Sequence, residues 1–260
     1  MGLAKKAEEA AVEEAEEAEE AKEAKEREER MRRLEERVKA CKKCELWSLR
    51  RNVVVGEGSL FADVMFVGEA PGYYEDLKGR PFVGKAGKVL DELLASVHLE
   101  RKDVYICNVL KCRPPKNRDP KPEEIESCTP FLDEQIEIIQ PKVIATLGNY
   151  SLQYIFSKFN MKAEKISKIH GRIFTVETLN GTLKIIPLYH PAVAIYNTAM
   201  REVLFEDFKV LPRILSELKR AWSGLIGLSR LKAEQAKSGV WRSRKRSGEV
   251  GRGESERSGS

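Results

Sequence analysis

The stretch DVMFVGEAPGYYEDLKGRPFVGKAG, residues 63–87, joins a short apolar run to a loop that is rich in glycine and proline. The apolar run is too short for a helix and lacks the alternation of a half-exposed strand, so it predicts a buried strand. Three later runs have a similar length and character, namely residues 104–109, 142–147 and 183–188. The sequence therefore predicts four short strands in the protein interior.

Helical patterns separate these strands. Residues 85–97 place four apolar side chains on one face, and residues 122–139 open with a proline and two glutamates, which suit a first helical turn. Pro130 inside the second helix is expected to kink or divide it. Two further helices are predicted at 149–156 and 201–219. Strands that alternate with helices predict an α/β fold, a parallel sheet with helices on both faces.

Parallel sheets bind ligands just beyond the carboxyl ends of their strands, so the residues immediately after each strand are candidates for a site. Each predicted strand is followed by glycine, proline, histidine or asparagine, and such a cluster is a stronger functional signal than any one of these residues. The segments are Gly68-Glu69-Ala70-Pro71-Gly72, Lys111-Cys112-Arg113-Pro114-Pro115 after Asn108, Gly148-Asn149, and Tyr189-His190-Pro191-Ala192.

Several residues at this edge of the sheet have two interpretations. Phe82 can offer a ring face to a flat ligand or can pack in the core. His190, one of three histidines, can hold or protonate a leaving group or can be structural. Glu69 and Glu75 place two carboxylates on the glycine-rich loop. This loop matches neither a P-loop nor a dinucleotide fingerprint, so the sequence does not predict those kinds of phosphate binding.

The five cysteines favour a metal site or reactive thiols over disulfides, because the chain shows no export signal. Cys41 and Cys44 form a C-x2-C pair, a spacing that lets two thiolates bind one metal centre. Cys112 and Cys128 can complete a set of four. Cys107 lies in an apolar run and is expected to be a buried cysteine that binds no metal. Basic neighbours favour such a site over unrelated buried cysteines. The spacing is compatible with zinc and with an iron–sulfur cluster.

The net charge of +5 is distributed unevenly. Residues 1–40 hold 14 glutamates against 10 lysines and arginines, which predicts a charged helix that is either solvated or a coiled-coil partner. Residues 226–260 are expected to be a basic, disordered tail, which leaves 41–225 for the globular domain. No apolar run is long enough for a membrane span and no signal core is apparent, so a cytoplasmic protein is expected.

Taken together, four blocks resemble the family 4 uracil-DNA glycosylases, the iron–sulfur branch found in archaea and thermophilic bacteria. The resemblance covers residues 38–220 and implies a three-layer α/β/α sandwich around a four-stranded parallel sheet. It also implies a monofunctional glycosylase that removes uracil from DNA in base excision repair. The blocks are Cys41-Lys42-Lys43-Cys44, GEAPGYYEDLKGRPFVGKAG at 68–87, NVLKCRPPKNRDPKPEEIESC at 108–128, and HPA at 190–192.

The resemblance implies how uracil would be held. The extruded base would stack on Phe82, with its pyrimidine edge read by Asn108 and its O2 beside His190. Glu75 would crowd the C5 side of the base and exclude the methyl group of thymine. The residues that would line the rest of the pocket, largely through their backbone, are Gly68, Glu69, Ala70 and Pro71.

The same resemblance implies a cofactor and leaves one catalytic role open. A [4Fe-4S] cluster would be bound by Cys41, Cys44, Cys112 and Cys128. The attacking water lacks an obvious base, because Ala70 stands where cluster-free relatives place an aspartate. Glu69 is the nearest candidate for that base, and a structural role is the alternative.

Uracil-containing DNA, single- or double-stranded, is the expected partner, with phosphate contacts that make binding steeply dependent on salt. The segment after His190, with Val193 and Ile195, is either a wedge that fills the space left by the extruded base or an ordinary surface loop. A monomer associated with the nucleoid is expected. Residues 153–160 loosely resemble a peptide that binds a sliding clamp, with core packing as the alternative. Candidate phosphate contacts are Arg113, Lys116 and Arg118.

Two other classes of protein compete with a glycosylase. A non-enzymatic iron–sulfur or zinc protein that binds nucleic acid would explain the cysteines and the positive charge. It would not need Phe82, Asn108 and His190 at strand ends. A redox protein that carries the cluster would predict a more compact group of cysteines and no apolar wedge. Release of uracil from DNA distinguishes a glycosylase from both.

Overall fold

The computed structural model describes residues 2–218 and 220, with side chains from residue 14 onward except that of residue 16. Contacts divide the chain into two compact units, Met1–Arg213 and Ile214–Ser260, and the sheet belongs to the first. The tail predicted at 226–260 lies outside the described residues. None of the described helices combines the length and the apolar character needed to span a membrane.

Six strands form one sheet in the described part of the chain. They are β1 (Glu57–Gly58), β2 (Val64–Gly68), β3 (Tyr105–Asn108), β4 (Val143–Leu147), β5 (Phe174–Thr178) and β6 (Gly181–Leu188). Their order across the sheet is β1-β3-β2-β4-β6-β5. The central strands β3, β2, β4 and β6 are parallel and lie where the sequence predicts strands. The predicted parallel sheet is therefore confirmed, and β1 and β5 extend it with antiparallel edges.

Helices connect and cover these strands. They are α1 (Gly2–Ala40), α2 (Tyr73–Lys78), α3 (Lys85–Ser96), α4 (Pro122–Ile139), α5 (Asn149–Lys158), α6 (Ile166–Ile169), α7 (Val193–Tyr196) and α8 (Thr198–Phe208). Helical structure resumes at residues 210–218 after a turn at Lys209. Pro130 does not divide α4. Proline has no N–H, so residue 130 cannot donate the usual helical hydrogen bond to the Glu126 carbonyl. The Thr129 hydroxyl donates to this carbonyl instead, at 3.5 Å.

Both faces of the sheet are covered. On one face, Phe66 of β2 stacks on Phe208 of α8, with ring centroids 5.7 Å apart. Neighbouring side chains of a strand point to opposite faces, and Met65 and Val67 belong to a core that includes residues of α1, α4 and α5. The three-layer α/β/α arrangement predicted from the sequence is therefore confirmed.

The last turns of α1 contribute to this core, although the helix is charged along most of its length. Met31, Leu34 and Val38 follow helical spacing and are buried. Arg27 donates hydrogen bonds to two backbone carbonyls outside the helix, at 3.1 and 3.0 Å. The solvated helix expected at residues 1–40 is therefore anchored to the sheet by its final turns.

Candidate active site

The carboxyl ends of the parallel strands surround a cavity of about 350 Å³, a size that suits a small ligand. Gly68 ends β2, Asn108 ends β3, and His190 follows β6 by two residues. The structure brings together most of the side chains that the sequence singles out at this edge. Those that line the cavity are Glu69, Ala70, Pro71, Glu75, Phe82, Asn108, Arg118 and His190.

Gly68 has no side chain, and two side chains of the cavity occupy the space that one would need. A Cβ at this position would lie 2.3 Å from Asn108 Oδ1 and 2.7 Å from Phe82 Cζ. Any larger residue would displace the amide or the ring. Gly68 therefore determines how closely these two groups approach each other.

Phe82 has a left-handed backbone conformation, with φ of 49°, which non-glycine residues seldom adopt. Its ring is buried and stacks on the ring of His190, with centroids 5.6 Å apart. Arg101 donates hydrogen bonds to the carbonyls of Pro81, at 3.0 Å, and of Phe82. Gly87 leaves room for the Phe82 carbonyl, which a Cβ would contact at 1.7 Å. The surrounding backbone contacts therefore fix the orientation of the ring.

Replacing Arg101 with alanine should lower the free energy of unfolding by about 2 kcal/mol, because hydrogen bonds from a charged donor to two carbonyls are lost. Urea denaturation followed by circular dichroism measures this loss. Arg80→Ala is the matched control. Both arginines pair with Glu57, at 3.2 Å from Arg101 and 2.5 Å from Arg80, but Arg80 is 61% exposed. That variant should change stability by less than about 1 kcal/mol. Equal losses in the two variants would show that the carbonyl contacts are unimportant.

The carboxylate of Glu75 forms hydrogen bonds within the loop. Its Oε1 accepts hydrogen bonds from the backbone N–H groups of Val83, at 2.9 Å, and Gly84, at 2.8 Å. These bonds tie α2 to the residues that follow Phe82. Because Glu75 also lines the cavity, this part of the wall is held in place by the backbone.

Asn108 is 2% exposed, and its backbone is held by a buried lysine. Lys111 Nζ donates hydrogen bonds to the Asn108 carbonyl, at 2.7 Å, and to Gln135 Oε1, at 2.6 Å. Gln135 Nε2 in turn lies 3.0 Å from the Val55 carbonyl and 3.0 Å from the Tyr105 hydroxyl. This network fixes the end of β3. The sequence gives no signal for it, because a lysine in a loop after a strand ordinarily lies in solvent.

Glu69 is half-buried in the cavity wall. Burial, with a smaller contribution from the negative charge of Asp119, raises the pKa of Glu69 to about 7. Among the described residues, none donates a hydrogen bond to this carboxylate. A carboxyl group that titrates near neutral pH is well suited to accept a proton there.

His190 is neutral at neutral pH. Burial lowers its pKa to about 4, although the charge of Glu75 opposes this shift. Its Nδ1 accepts a hydrogen bond from the backbone N–H of Ala192 at 3.1 Å. The proton of the neutral ring therefore lies on Nε2, which can donate to an oxygen in the cavity. His170 has a different environment, with its Nδ1 2.8 Å from Asp207 Oδ2.

The basic residues singled out as DNA contacts lie in the loop after β3. Arg118 lines the cavity and makes two hydrogen bonds to Glu124, at 2.9 and 2.6 Å, which compensate its charge. Lys116 is exposed and Arg113 is half-buried. The charge available to phosphates therefore differs among the three residues.

The segment considered as a wedge forms the short helix α7. Val193 and Ile195 are half-buried, whereas Tyr196 is 88% exposed. The Tyr196 ring therefore protrudes further from this helix than the side chain of Val193 or Ile195. The sequence places all three in one apolar run and does not distinguish the exposed residue from the half-buried ones.

Four free thiols line a second, smaller pocket. Cys41 and Cys44 follow α1, Cys112 follows β3, and Cys128 lies on α4. Cys107 is fully buried in β3 and does not line this pocket. The fold therefore brings together four cysteines that the sequence separates by up to 87 positions.

The surroundings of these thiols fit an iron–sulfur cluster. Arg50 Nη1 donates to Cys112 Sγ at 3.1 Å, and the backbone N–H of Lys111 donates to Cys128 Sγ at 3.2 Å. Thiolates are the usual ligands of an iron–sulfur cluster, and hydrogen bonds to their sulfurs are one of the protein's means of tuning such a site.

Comparisons with known proteins define the class. A family model described as the Uracil DNA glycosylase superfamily matches residues 55–218. The type-4 uracil-DNA glycosylase of Saccharolobus solfataricus is 49% identical over 176 residues, which are 67% of this chain and 82% of that protein. The type-4 uracil-DNA glycosylase of Archaeoglobus fulgidus is 51% identical over 168 residues, 65% of this chain and 84% of that protein. The chain belongs to this superfamily and, within it, to the type-4 uracil-DNA glycosylases.

Proposed function

We propose that this chain is a uracil-DNA glycosylase, which extrudes deoxyuridine from DNA, hydrolyses the N-glycosidic bond and leaves an abasic site. This reaction would begin base excision repair of deaminated cytosine. The observation that carries the proposal is the cavity at the carboxyl edge of the sheet, which is lined by Phe82, Asn108, His190 and Glu69. A base must leave the helical stack to enter such a cavity.

The cavity would select uracil by stacking and by hydrogen bonding. Phe82 supplies the ring on which the base lies. The Asn108 amide donates to O4 and accepts from N3–H, whereas cytosine presents an amino group and an unprotonated N3 at these positions. Glu75, held by the backbone, forms the wall that excludes the methyl group of thymine.

Hydrolysis needs a stabilised leaving group and an activated water. Cleavage of the glycosidic bond develops negative charge on uracil, and neutral His190 donates from Nε2 to O2 of the base as this charge grows. The carboxylate of Glu69 accepts a proton from the water that attacks the sugar carbon. The support for this role is a carboxylate in the cavity wall with a pKa of about 7 and no hydrogen-bond donor among the described residues.

A [4Fe-4S] cluster would be held by Cys41, Cys44, Cys112 and Cys128. When bound, it would supply cross-links between the end of α1, the loop after β3 and α4, and no chemistry at the cavity. Arg50 would stabilise the Cys112 thiolate by donating a hydrogen bond to its sulfur, at the 3.1 Å distance seen here.

Replacing Cys112 with alanine should reduce the iron content of purified protein from about four atoms per chain to well below one. The charge-transfer shoulder in the visible spectrum should disappear, and the melting temperature should fall by more than about 5 °C. Cys107→Ala is the matched control, because Cys107 is also a buried cysteine but does not line the thiol pocket. Loss of iron in the Cys107 variant alone would overturn the assignment of the four ligands.

DNA is the partner that this activity requires, and we propose that the protein acts on it as a monomer in the nucleoid. Binding to a sliding clamp stays a prediction, and the structure of residues 153–160 does not support it. Most of that segment lies on α5, where Ile155 and Phe156 are fully buried, and this burial supports the alternative that the segment packs in the core.

Release of uracil from single- and double-stranded oligonucleotides that contain one deoxyuridine tests the proposed function. Free uracil and alkali-sensitive abasic sites should both appear, and oligonucleotides with thymine or cytosine at the same position should stay intact. Protein that holds its iron, binds DNA and releases no uracil would instead be a non-enzymatic binding module.

A further inference from the structure

Tyr73 and Tyr74, at the start of α2, are 44% and 53% exposed. Their rings meet edge to face, with centroids 5.3 Å apart. The residues on either side of this pair, Gly72 and Glu75, both line the cavity. Two large aromatic rings are therefore exposed to solvent at the mouth of the cavity. Packing in the core does not explain why aromatic residues occupy these two positions.

Two guanidinium groups lie over the ring of Tyr73. The distance from Cζ to the ring centroid is 5.2 Å for Arg113 and 5.6 Å for Arg51, within the range of cation–π contacts. In the part of the chain that the structure describes, neither guanidinium pairs with a carboxylate, whereas Arg118 pairs with Glu124. This side of the cavity mouth therefore carries two uncompensated positive charges.

Neighbouring groups hold the backbone of Arg51 and the side chain of Arg113. Asp76 Oδ1 accepts a hydrogen bond from the backbone N–H of Arg51 at 2.9 Å, which fixes that segment to α2. Arg113 Nε donates to Asn117 Oδ1 at 2.7 Å, and Asn117 lines the cavity. The backbone of Arg51 and the side chain of Arg113 are thus fixed without a ligand, and Arg113 is linked to the cavity wall through Asn117.

We propose that Arg51, Tyr73, Tyr74 and Arg113 form a strand-binding surface, which holds the DNA strand next to the extruded nucleotide. This inference rests on the proposed function. Cations bind phosphates and exposed aromatic rings stack on bases, so this combination is typical of surfaces that bind single strands. Because guanidinium groups cover Tyr73, the ring of Tyr74 is the one that packs against the neighbouring base.

The proposal predicts a difference between single-stranded and duplex DNA. A neighbouring base in a duplex stays paired and stacked and cannot lie on Tyr74. Tyr74→Leu should therefore weaken binding to a single strand by about fivefold to tenfold and binding to a duplex by less than about twofold. Arg51→Gln and Arg113→Gln should weaken both, and each should reduce the salt dependence of log K by about one.

Fluorescence anisotropy with oligonucleotides that contain 2′-fluoro-2′-deoxyuridine, whose glycosidic bond resists hydrolysis, measures these affinities. Phe61→Leu is the matched control. Phe61 is 51% exposed and also lies under an arginine, with Arg27 Cζ 4.7 Å from its ring centroid. It precedes β2 and so lies at the edge of the sheet opposite the cavity. Its replacement should leave both affinities unchanged.

Unchanged single-strand affinity of Tyr74→Leu, in protein with the wild-type melting temperature, would overturn the strand-binding surface. An equal loss in Phe61→Leu would overturn it as well. Uracil release by the wild-type protein is scored separately, on cleavable oligonucleotides. Wild-type protein that binds DNA but releases no uracil would refute the proposed function and leave the comparison of affinities intact.

Discussion

Replacing Glu69 with glutamine should lower the single-turnover rate of uracil release by at least about a hundredfold, with affinity for uracil-containing DNA within about threefold of wild type. Glutamine keeps the shape of the side chain but cannot accept a proton from the attacking water. Rapid-quench measurements with enzyme in excess separate this step from product release. Near-wild-type single-turnover cleavage by the variant would refute the role of Glu69 as base.

The pH dependence of the wild-type rate provides a second measurement of the same residue. Glu69 is active when ionised, so a pKa of about 7 predicts a rate that falls about tenfold per pH unit below neutrality. Asp119→Asn removes a negative charge that raises this pKa and should move the midpoint to lower pH. A midpoint that does not respond to this substitution would indicate that another group limits the rate.

Burial of Glu69 also makes the stability of the folded protein depend on pH. A folded-state pKa above the unfolded value means that folding favours the protonated form. This contribution is complete below the unfolded value near pH 4.5 and is lost as pH rises through about 7. Glu69→Gln should therefore melt at a higher temperature than wild type at pH 8 and at nearly the same temperature at pH 4.

Replacing His190 with alanine should lower the rate of uracil release by about a hundredfold to a thousandfold, the usual cost of removing one donor to a developing negative charge. The expected loss lies in the chemical step, because the donor matters most when uracil carries its charge. His98→Asn is the matched control. His98 is an exposed histidine with φ of 57°, a conformation that asparagine tolerates.

The protonation state of His190 gives this prediction a separate readout. Because its pKa is lowered to about 4, the residue should act as a neutral donor and contribute no change in rate between pH 5 and 8. Nitrogen chemical shifts should show the Nε2–H tautomer across this range, with Nδ1 bonded to the backbone of Ala192. An imidazolium at pH 6 would contradict the proposed role.

The central strands were predictable because short, uninterrupted apolar runs bounded by glycine and proline have few alternatives to a buried strand. The antiparallel edges needed other signals. In β5 the burial alternates along the strand, and the two residues Leu179-Asn180 connect it to Gly181, the first residue of β6, so that an Asn-Gly pair marks the hairpin. This signal was available in the sequence. The two residues of β1 give no pattern long enough to read.

The cavity side chains were predictable from their positions after strands, whereas the groups that hold them were not. Phe82, Asn108 and His190 all lie at the expected edge. Arg101, which binds the Phe82 carbonyl, and Lys111, which binds the Asn108 carbonyl, have no such signal. A sequence records the residue type but not the direction in which a long side chain folds back onto the backbone.

The left-handed backbone at Phe82 restricts how this enzyme can be altered by design. Side chains branched at Cβ are strained at φ near 49°, so valine or isoleucine would lose the ring and disturb the loop together. Glycine or asparagine would relax the backbone but offer no stacking surface. Libraries that aim to change the accepted base should therefore keep an unbranched aromatic residue here and vary the opposite wall of the cavity.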